Sequence, residues 1–598
     1  MNSRLRKSLC SILSLLIVSS MFLVSSCSIF GGDAKEKAKE ESKDDSEKLA
    51  DIDFALFSDS VTSDSLTFNL TIEDPEALDI AMDEVTFGDV DKDSYLEKTD
   101  KYTEYQDQLE EINYDNLTEQ EQIEYDVIEY DLNEALAYED YFYYSSPFNS
   151  ITGIQSNLPL IMPEYEFVTT EDIDDYLLLL TDFYRYYQDL MTVEQERADK
   201  GFGASDTVLD AIIESCQSFL DDEDNSFLIS SFAENLEDVE GLTDEEKEAY
   251  IEQNQSILDE YVFPAYQLLI DGFTDLKGQG ENDGGLCNFE NGKEYYELLL
   301  KTQTSSDMSV EDAISYVDDA IDGYIDVITE TNTDDDFWAL YGSYSFSMGT
   351  IQENLDYCES AITEDYPEIM DHNVTLKEVP EALQDYFSPA AYLSCKIDDP
   401  SENLIITNPS AMDGDQNVLE TIAHEGYPGH MYEAIYHAEH IASYYQRTAS
   451  FIGYSEGWAE CAGEDVLKNA GYDEDLVNYV YAENKILNVL IPARIDIGVN
   501  YEAWTYDDCI DYIEQYGLSE AYYSDYAQYC YDRAIEIPCY VMPYCFGYLQ
   551  TKEIFENTTD SVASDVTQKD IHEAYLDIGA APFPIIEKYM DEFIENNE

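Results

Sequence analysis

The sequence predicts a mainly α protein, a large multi-helix fold with little β structure, and three observations carry that reading. Long stretches space apolar or Tyr residues three and four apart, as in Ile123, Val127 and Tyr130, or Ile128, Leu132 and Leu136, the repeat of a helix with one buried face. Helix-start signals precede several of these stretches, with a hydroxyl to cap and acids in the first turn at Thr169-Thr170-Glu171-Asp172 and Thr243-Asp244-Glu245-Glu246. Few runs alternate cleanly. The best strand candidate is Leu404-Ile405-Ile406-Thr407.

Taken in order, residues 1–26 read as a targeting segment. Arg4, Arg6 and Lys7 precede a mostly apolar stretch from Leu9 to Val24, and Val24-Ser25-Ser26 leads into Cys27. Small residues before a cysteine at that point look like a bacterial lipobox. The expectation is an exported chain with a lipid on Cys27 as its membrane anchor; an ordinary signal peptide or an uncleaved anchor is the other reading. Residues 27–51 are charged, contain Ser and lack large apolar groups past Phe30, the composition of a flexible tether.

Helical patterning covers 104–145, 172–200, 206–221 and 243–272. Glycines at 278, 280, 284, 285 and 292 then mark a long loop from Thr274 to Lys293 that could lie over a cleft. The helical pattern resumes at Ser309-Val310-Glu311-Asp312. A helical N-terminal subdomain over 52–400 and a helical metal-binding catalytic subdomain over 401–598 are expected. No stretch after the first reaches the roughly 18 apolar residues of a membrane span.

The charge excludes whole classes of function. The chain has 28 Lys and Arg against 132 Asp and Glu, a net of −104. Removing residues 1–26 takes away three basic groups and leaves −107. Nucleic acid and anionic lipid surfaces both need a basic face, so neither is a main partner. Of eleven Cys, nine remain after Cys10 and Cys27. That odd number without a C-x-x-C pair predicts mostly free, buried thiols, with one or two bridges at most.

His424-Glu425-Gly426-Tyr427-Pro428-Gly429-His430 is the chemical centre of the sequence. Four of the six histidines (His424, His430, His437 and His440) fall within seventeen residues. The run reads as a stretched H-E-x-x-H, in which two His hold zinc and the Glu handles a water proton. Six residues put the rings about 120° apart on an ideal helix. Pro428-Gly429 is expected to make two residues bulge out and return His430 to the metal. Val418, Leu419 and Ile422 lead into the motif, and Met431, Ala434, Ile435, Ala438 and Ile441 resume the helical repeat.

A third ligand is needed, with one open position for water. Glu456 is favoured, in the small and apolar setting of Gly457-Trp458-Ala459, and Glu460 one turn on is placed behind it or as a structural group. Glu425 is expected to reach the metal's water and to pass its proton to a leaving amine.

These runs resemble the bacterial domain-of-unknown-function family 885, which is grouped with zincin metallopeptidases of the gluzincin type. The likeness covers nearly all of residues 51–598. It rests on H-E-x-x-P-G-H at 424–430 and E-G-W-A at 456–459. Softer matches lie at Leu117–Gln122, at Ser146-Pro147-Phe148 ahead of Leu158-Pro159, and at Gly292-Lys293-Glu294-Tyr295-Tyr296. The resemblance implies a mostly helical zincin-like fold, with His424, His430 and Glu456 as ligands of one zinc ion and Glu425 as general base.

Two later stretches also match the family. Ala493–Gly498, with Trp504, resembles its arginine-aspartate-glycine helix, and Ile537-Pro538 through Tyr544 and Gly547 resembles its P-G-Q-x-x-x-Y-x-x-G segment. Arg494 or Arg533 is then expected either to bind a peptide's terminal carboxylate or to partner acids such as Asp496 or Asp532. Tyr544, or else Tyr540, either donates to the oxyanion of a tetrahedral intermediate or simply packs. Three departures bear on substrate recognition: Asn500 where relatives often carry His, Cys539-Tyr540 for Gly-Gln, and Cys461 for a frequent Tyr.

The reading is a lipid-anchored zinc peptidase acting on peptide substrates, with carboxypeptidase or dipeptidase action suggested by the arginines. Its rival is an inactive peptide- or solute-binding lipoprotein with a structural metal.

Overall fold

A computed structural model describes residues 44–597, apart from 222–225, 238, 281, 283, 380–383, 385–386, 413 and 517–519. The expected targeting segment, Cys27 and most of the expected tether lie outside the described residues. Among the described residues the fold is 69% helical with three short strands, the mainly α class that the apolar spacing predicts.

A helix already lies within the expected tether. Asp44 caps the helix Asp45–Val61 by accepting from the Glu47 N–H, and Leu49 and Ile52 on that helix are buried. A tether reaching to residue 51 is therefore too long, because Leu49 opens an apolar face that the surrounding charges conceal. Asp53 on the same helix accepts from the Tyr444 and Tyr445 N–H groups and the Ser443 hydroxyl. This docks the first helix onto the segment that follows the His motif.

Capping sets the next boundaries. Residues 104–145 divide into the helices Lys92–Glu110 and Glu119–Ala137, because Thr118 and Glu121 close a capping box at the break. Thr169 with Asp172 starts Thr170–Asp199, and Thr243 with Glu246 starts Asp244–Ile257, each pair satisfying two orphan backbone donors. Asp244–Ile257 continues through a π turn at Leu258–Val262 into Phe263–Leu276. The widened turn precedes Pro264, whose ring and missing N–H do not fit a regular helix.

The glycine loop between Leu276 and Gly292 rests on the helix Ile491–Asn500. The Leu286 N–H donates to Asn500 Oδ1 at 2.9 Å. A Cβ on Gly285 would stand 2.2 Å from the Val499 carbonyl oxygen, so only glycine permits that approach.

The three strands are β1 (Asn373–Glu378), β2 (Ala390–Leu393) and β3 (Glu402–Thr407). β3 lies in the middle, parallel to β1 and antiparallel to β2, with Leu376 opposite Ile405 and Tyr392 also opposite Ile405. Side chains alternate between two cores. Ala391 joins the core built from helices between residues 66 and 276, while Ala390, Tyr392 and Ile405 join the core around the His motif. The sheet is thus the layer between these cores, and its β2–β3 pairing joins the stretches on either side of residue 400. All nine described cysteines are free thiols, six of them buried.

Candidate metal centre

The His motif breaks its helix. Val418–Glu425 ends at Gly426, and a second helix, His430–His440, starts at His430. The expected bulge within one helix is replaced by two helices, because Pro428 and the backbone of Gly426 and Gly429 cannot sustain the ladder. The Gly429 N–H donates to the Ala423 carbonyl at 3.0 Å, folding the second helix back on the end of the first. The helix Ile452–Asn469 crosses both and is fixed to the turn by Trp458, whose indole N–H donates to the Pro428 carbonyl at 2.8 Å.

This arrangement brings His424, His430 and Glu456 together, all three buried. His424 Nε2 and His430 Nε2 are 3.0 Å apart, and Glu456 Oε2 lies 3.4 Å from the first and 3.8 Å from the second. The point equidistant from three atoms so spaced is about 2.0 Å from each, the length of a zinc–nitrogen or zinc–carboxylate bond. Glu456 Oε2 is buried without a hydrogen bond of good geometry. The donor set therefore fits a divalent cation in both spacing and chemistry.

The surrounding charge points the same way. Burial works against charge on His424, but contact with Glu456 and the fields of Glu425, Glu456 and Glu460 outweigh it and push the imidazole up. Burial pushes the Glu456 carboxyl up as well. Burial and the neighbouring His424 pull His430 well down, so it stays neutral. Carboxylates outnumber buried cations here, and a divalent ion would relieve that imbalance.

Glu425 is fully buried, and its Oε2 accepts the Tyr392 N–H of β2 at 2.8 Å. Its charge is felt by His424, Glu456 and Tyr544, so it stands beside the donor triangle without belonging to it. Tyr544 lies in a π turn, Pro543–Gly547, and its hydroxyl reaches the Glu456 carboxylate. Burial, then Glu456 and Tyr540, keep the proton on that phenol.

Glu460 lies one turn along from Glu456, with Oε1 3.9 Å from His424 Nδ1 and its other oxygen paired to the buried Lys485. His430 is backed by Ser455 Oγ at 3.2 Å, and Ser455 in turn donates to Glu433 at 3.3 Å. Sequence reasoning missed Lys485, Ser455, Glu433 and the Tyr392 N–H. Ser455 and Glu433 were within reach, being next to Glu456 and three residues past His430; nothing local marks the other two. His437 contacts Tyr454, and His440 stacks on Tyr436. Neither belongs to the triangle.

The arginine-aspartate helix, Ile491–Asn500, serves a different purpose. Arg494 pairs with Glu502 at 2.7 Å, faces Asp318 at 3.6 Å and lies over the Trp504 ring. Its placement among catalytic groups finds no support in these contacts, and its partners are not the expected Asp496 or Asp532. Asp496 accepts from the Tyr296 hydroxyl, the Cys539 N–H and Asn500. Asn500 also donates to the Ala534 carbonyl. Both are structural ties. Cys539 takes φ 63°, the left-handed conformation that glycine in the matching family segment adopts freely. Arg533 and Tyr540 flank a narrow cleft with Tyr529.

Fold and site together define a class: a mainly helical protein with a buried His-His-Glu triangle and a second carboxylate, Glu425, beside it. The chain belongs to the family described as bacterial protein of unknown function (DUF885), which matches residues 77–590. A candidate lipoprotein from Colwellia psychrerythraea has the same fold, with a TM-score of 0.80 over 93% of this chain and 100% of its own at 18% identity. A candidate lipoprotein of unknown function from Shewanella oneidensis aligns at a TM-score of 0.56 over 91% and 98% of the two chains, with 16% identity. No curated protein matches the chain. Among the described residues no helix is long and apolar enough to cross a membrane.

Proposed function

We propose that the protein is an exported, lipid-anchored zinc peptidase of zincin type. The observation that carries this is the triangle of His424 Nε2, His430 Nε2 and Glu456 Oε2, spaced for one small divalent ion, with Glu425 buried beside it. Lipid anchoring rests on the sequence leading to Cys27 and on the two structural neighbours described as candidate lipoproteins.

His424, His430 and Glu456 would hold the ion, which when bound supplies Lewis acidity toward water and a substrate carbonyl. The protein's own groups do the rest. Glu425, oriented by the Tyr392 N–H, accepts a proton from the attacking water and delivers it to the leaving amine. Tyr544 retains its proton and donates a hydrogen bond to the oxygen on which negative charge develops. Glu460 and Lys485 hold the outer edge of His424, while Ser455 and Glu433 hold that of His430, so both Nε2 atoms face inward.

The test joins metal content with turnover. Purified protein is expected to carry about one zinc per chain and to cleave members of a mixed peptide library, with activity lost to a chelator and restored by zinc. Glu425→Gln should keep its zinc and lose roughly 10²–10⁴-fold in rate. Stoichiometric zinc with no cleaved peptide would replace this reading with that of a binding lipoprotein.

A further inference from the structure

Arg533 stands out on chemical grounds. The chain carries 132 acidic residues against 28 basic ones, yet Arg533 makes no ion pair among the described residues. Arg185, Arg197 and Arg494 each meet a carboxylate within 3.0 Å. Of the Arg533 nitrogens, Nη1 is buried with no hydrogen-bond partner, and Nη2 has only a 3.5 Å contact with the Tyr529 hydroxyl. The rings of Tyr529 and Tyr540 flank the guanidinium at 5.3 and 5.0 Å.

The acid on the cleft wall is already committed. Asp496 lines the same cleft, but its two oxygens accept from Tyr296, Cys539 and Asn500. A guanidinium in an aromatic slot with an unused N–H is suited to a planar anion held by two parallel hydrogen bonds. One residue of its wall lies close in the chain to the metal centre. Tyr540, on its wall, lies four residues before Tyr544 and acts on its phenol, and the Tyr544 hydroxyl reaches Glu456.

We infer that Arg533 is a specificity-determining residue that takes the free C-terminal carboxylate of a peptide, in the cleft between Tyr529 and Tyr540. The inference rests on the peptidase reading and deepens it: the substrates are peptides with an unblocked C-terminus, cut close to that end. Because the guanidinium has no acid of the chain to release, such a carboxylate binds without breaking an internal ion pair. An amide at the same position offers no charge and only one acceptor.

The test reads binding apart from turnover. Fluorescence anisotropy would follow an N-terminally labelled tripeptide on zinc-supplemented Glu425→Gln protein, once as the free acid and once as the C-terminal amide. The acid is expected to bind about tenfold tighter or more. Adding Arg533→Gln should bring the acid down to the amide's affinity, and Arg533→Lys should restore only part of the difference, because ammonium lacks the planar fork. Thermal unfolding of both variants checks that they are folded, and Arg533→Lys serves alone should Arg533→Gln fail.

Equal binding of acid and amide, binding of neither, or a preference that survives the Arg533 substitutions would overturn the inference. The two readings fail separately. If wild type cleaves amides and acids alike, hydrolysis stands and the carboxylate site falls. If the Arg533-dependent preference is found but wild type cleaves nothing, the site stands and hydrolysis falls.

Discussion

Gly429 controls the donor triangle although it contributes no side chain to it. A Cβ there would lie 1.8 Å from the His424 carbonyl oxygen and 2.6 Å from that of Ala423. Both obstacles are backbone, so neither can swing aside as a flexible side chain would. Gly429→Ala must therefore push the His430 helix away from the end of the His424 helix and carry His430 Nε2 with it. We expect a loss of about 1–3 kcal/mol in unfolding free energy, the usual range for overpacking, together with at least about a tenfold loss in zinc affinity, as for groups that orient a ligand. Urea unfolding and competition with a chromophoric chelator measure the two. Unchanged zinc affinity would show that the close approach does not set the position of His430. At this scale the sequence was informative where the chemistry is local. His424, Glu425 and His430 fall within seven residues, and Glu456 stands out through its apolar neighbours. Arg494 was not legible, since one of its partners, Asp318, lies on a distant helix and nothing beside Arg494 announces it.

Between elements, Asn500 joins three parts of the chain at one buried amide. Its Oδ1 accepts the Leu286 N–H, and its Nδ2 donates to the Asp496 and Ala534 carbonyls. Asn500→Ala would leave these backbone groups buried and unmatched at a cost on the order of 1–3 kcal/mol. The loop around Leu286 should then exchange its amide hydrogens faster, while zinc content stays at the wild-type level, because Asn500 touches none of the three donors. Hydrogen exchange on residues 284–292 and metal analysis test both halves; a loss of zinc would tie the loop to the metal centre. The same loop shows where element-level reading stops. Its glycines signal an irregular segment, but what it rests on is set by Asn500, more than two hundred residues later. The capping boxes at Thr169 and Thr243 were readable because both partners lie within four residues. β3 was readable for its apolar run. β1 was not, because its partly exposed Asn373–Glu378 becomes a strand only by pairing with β3.

Across the whole molecule, the acidic composition has a consequence that burial makes specific. Glu124 and Glu134 lie on the helix Glu119–Ala137. Burial raises both carboxyls, Glu124 to about 8 with Asp53 and Glu121 adding, and Glu134 to about 7 with Asp131 adding. An unfolded glutamate titrates near ~4.3. Between that value and the folded one, the native chain binds more protons than the unfolded chain. The stabilising contribution is therefore complete below about pH 4.3, is lost as pH rises toward about 8, and changes little beyond. The capping carboxylates of Glu121, Glu246 and Asp570, held low by Thr118, Thr243 and Thr567, act in the opposite sense and lose their contribution as pH falls through about 4. Stability should peak on the mildly acidic side, near about pH 5. Glu134 separates this from general charge repulsion, since its Oε1 is buried with no hydrogen-bond partner. Glu134→Gln should raise the unfolding free energy at pH 8 by on the order of 1–3 kcal/mol and give almost no gain at pH 4. Glu104→Gln, on an exposed position of the helix Lys92–Glu110, removes the same formal charge and should change little at either pH. If both substitutions stabilise equally at pH 8, long-range repulsion within a chain of net charge −104 governs the pH response, and the buried carboxyls do not.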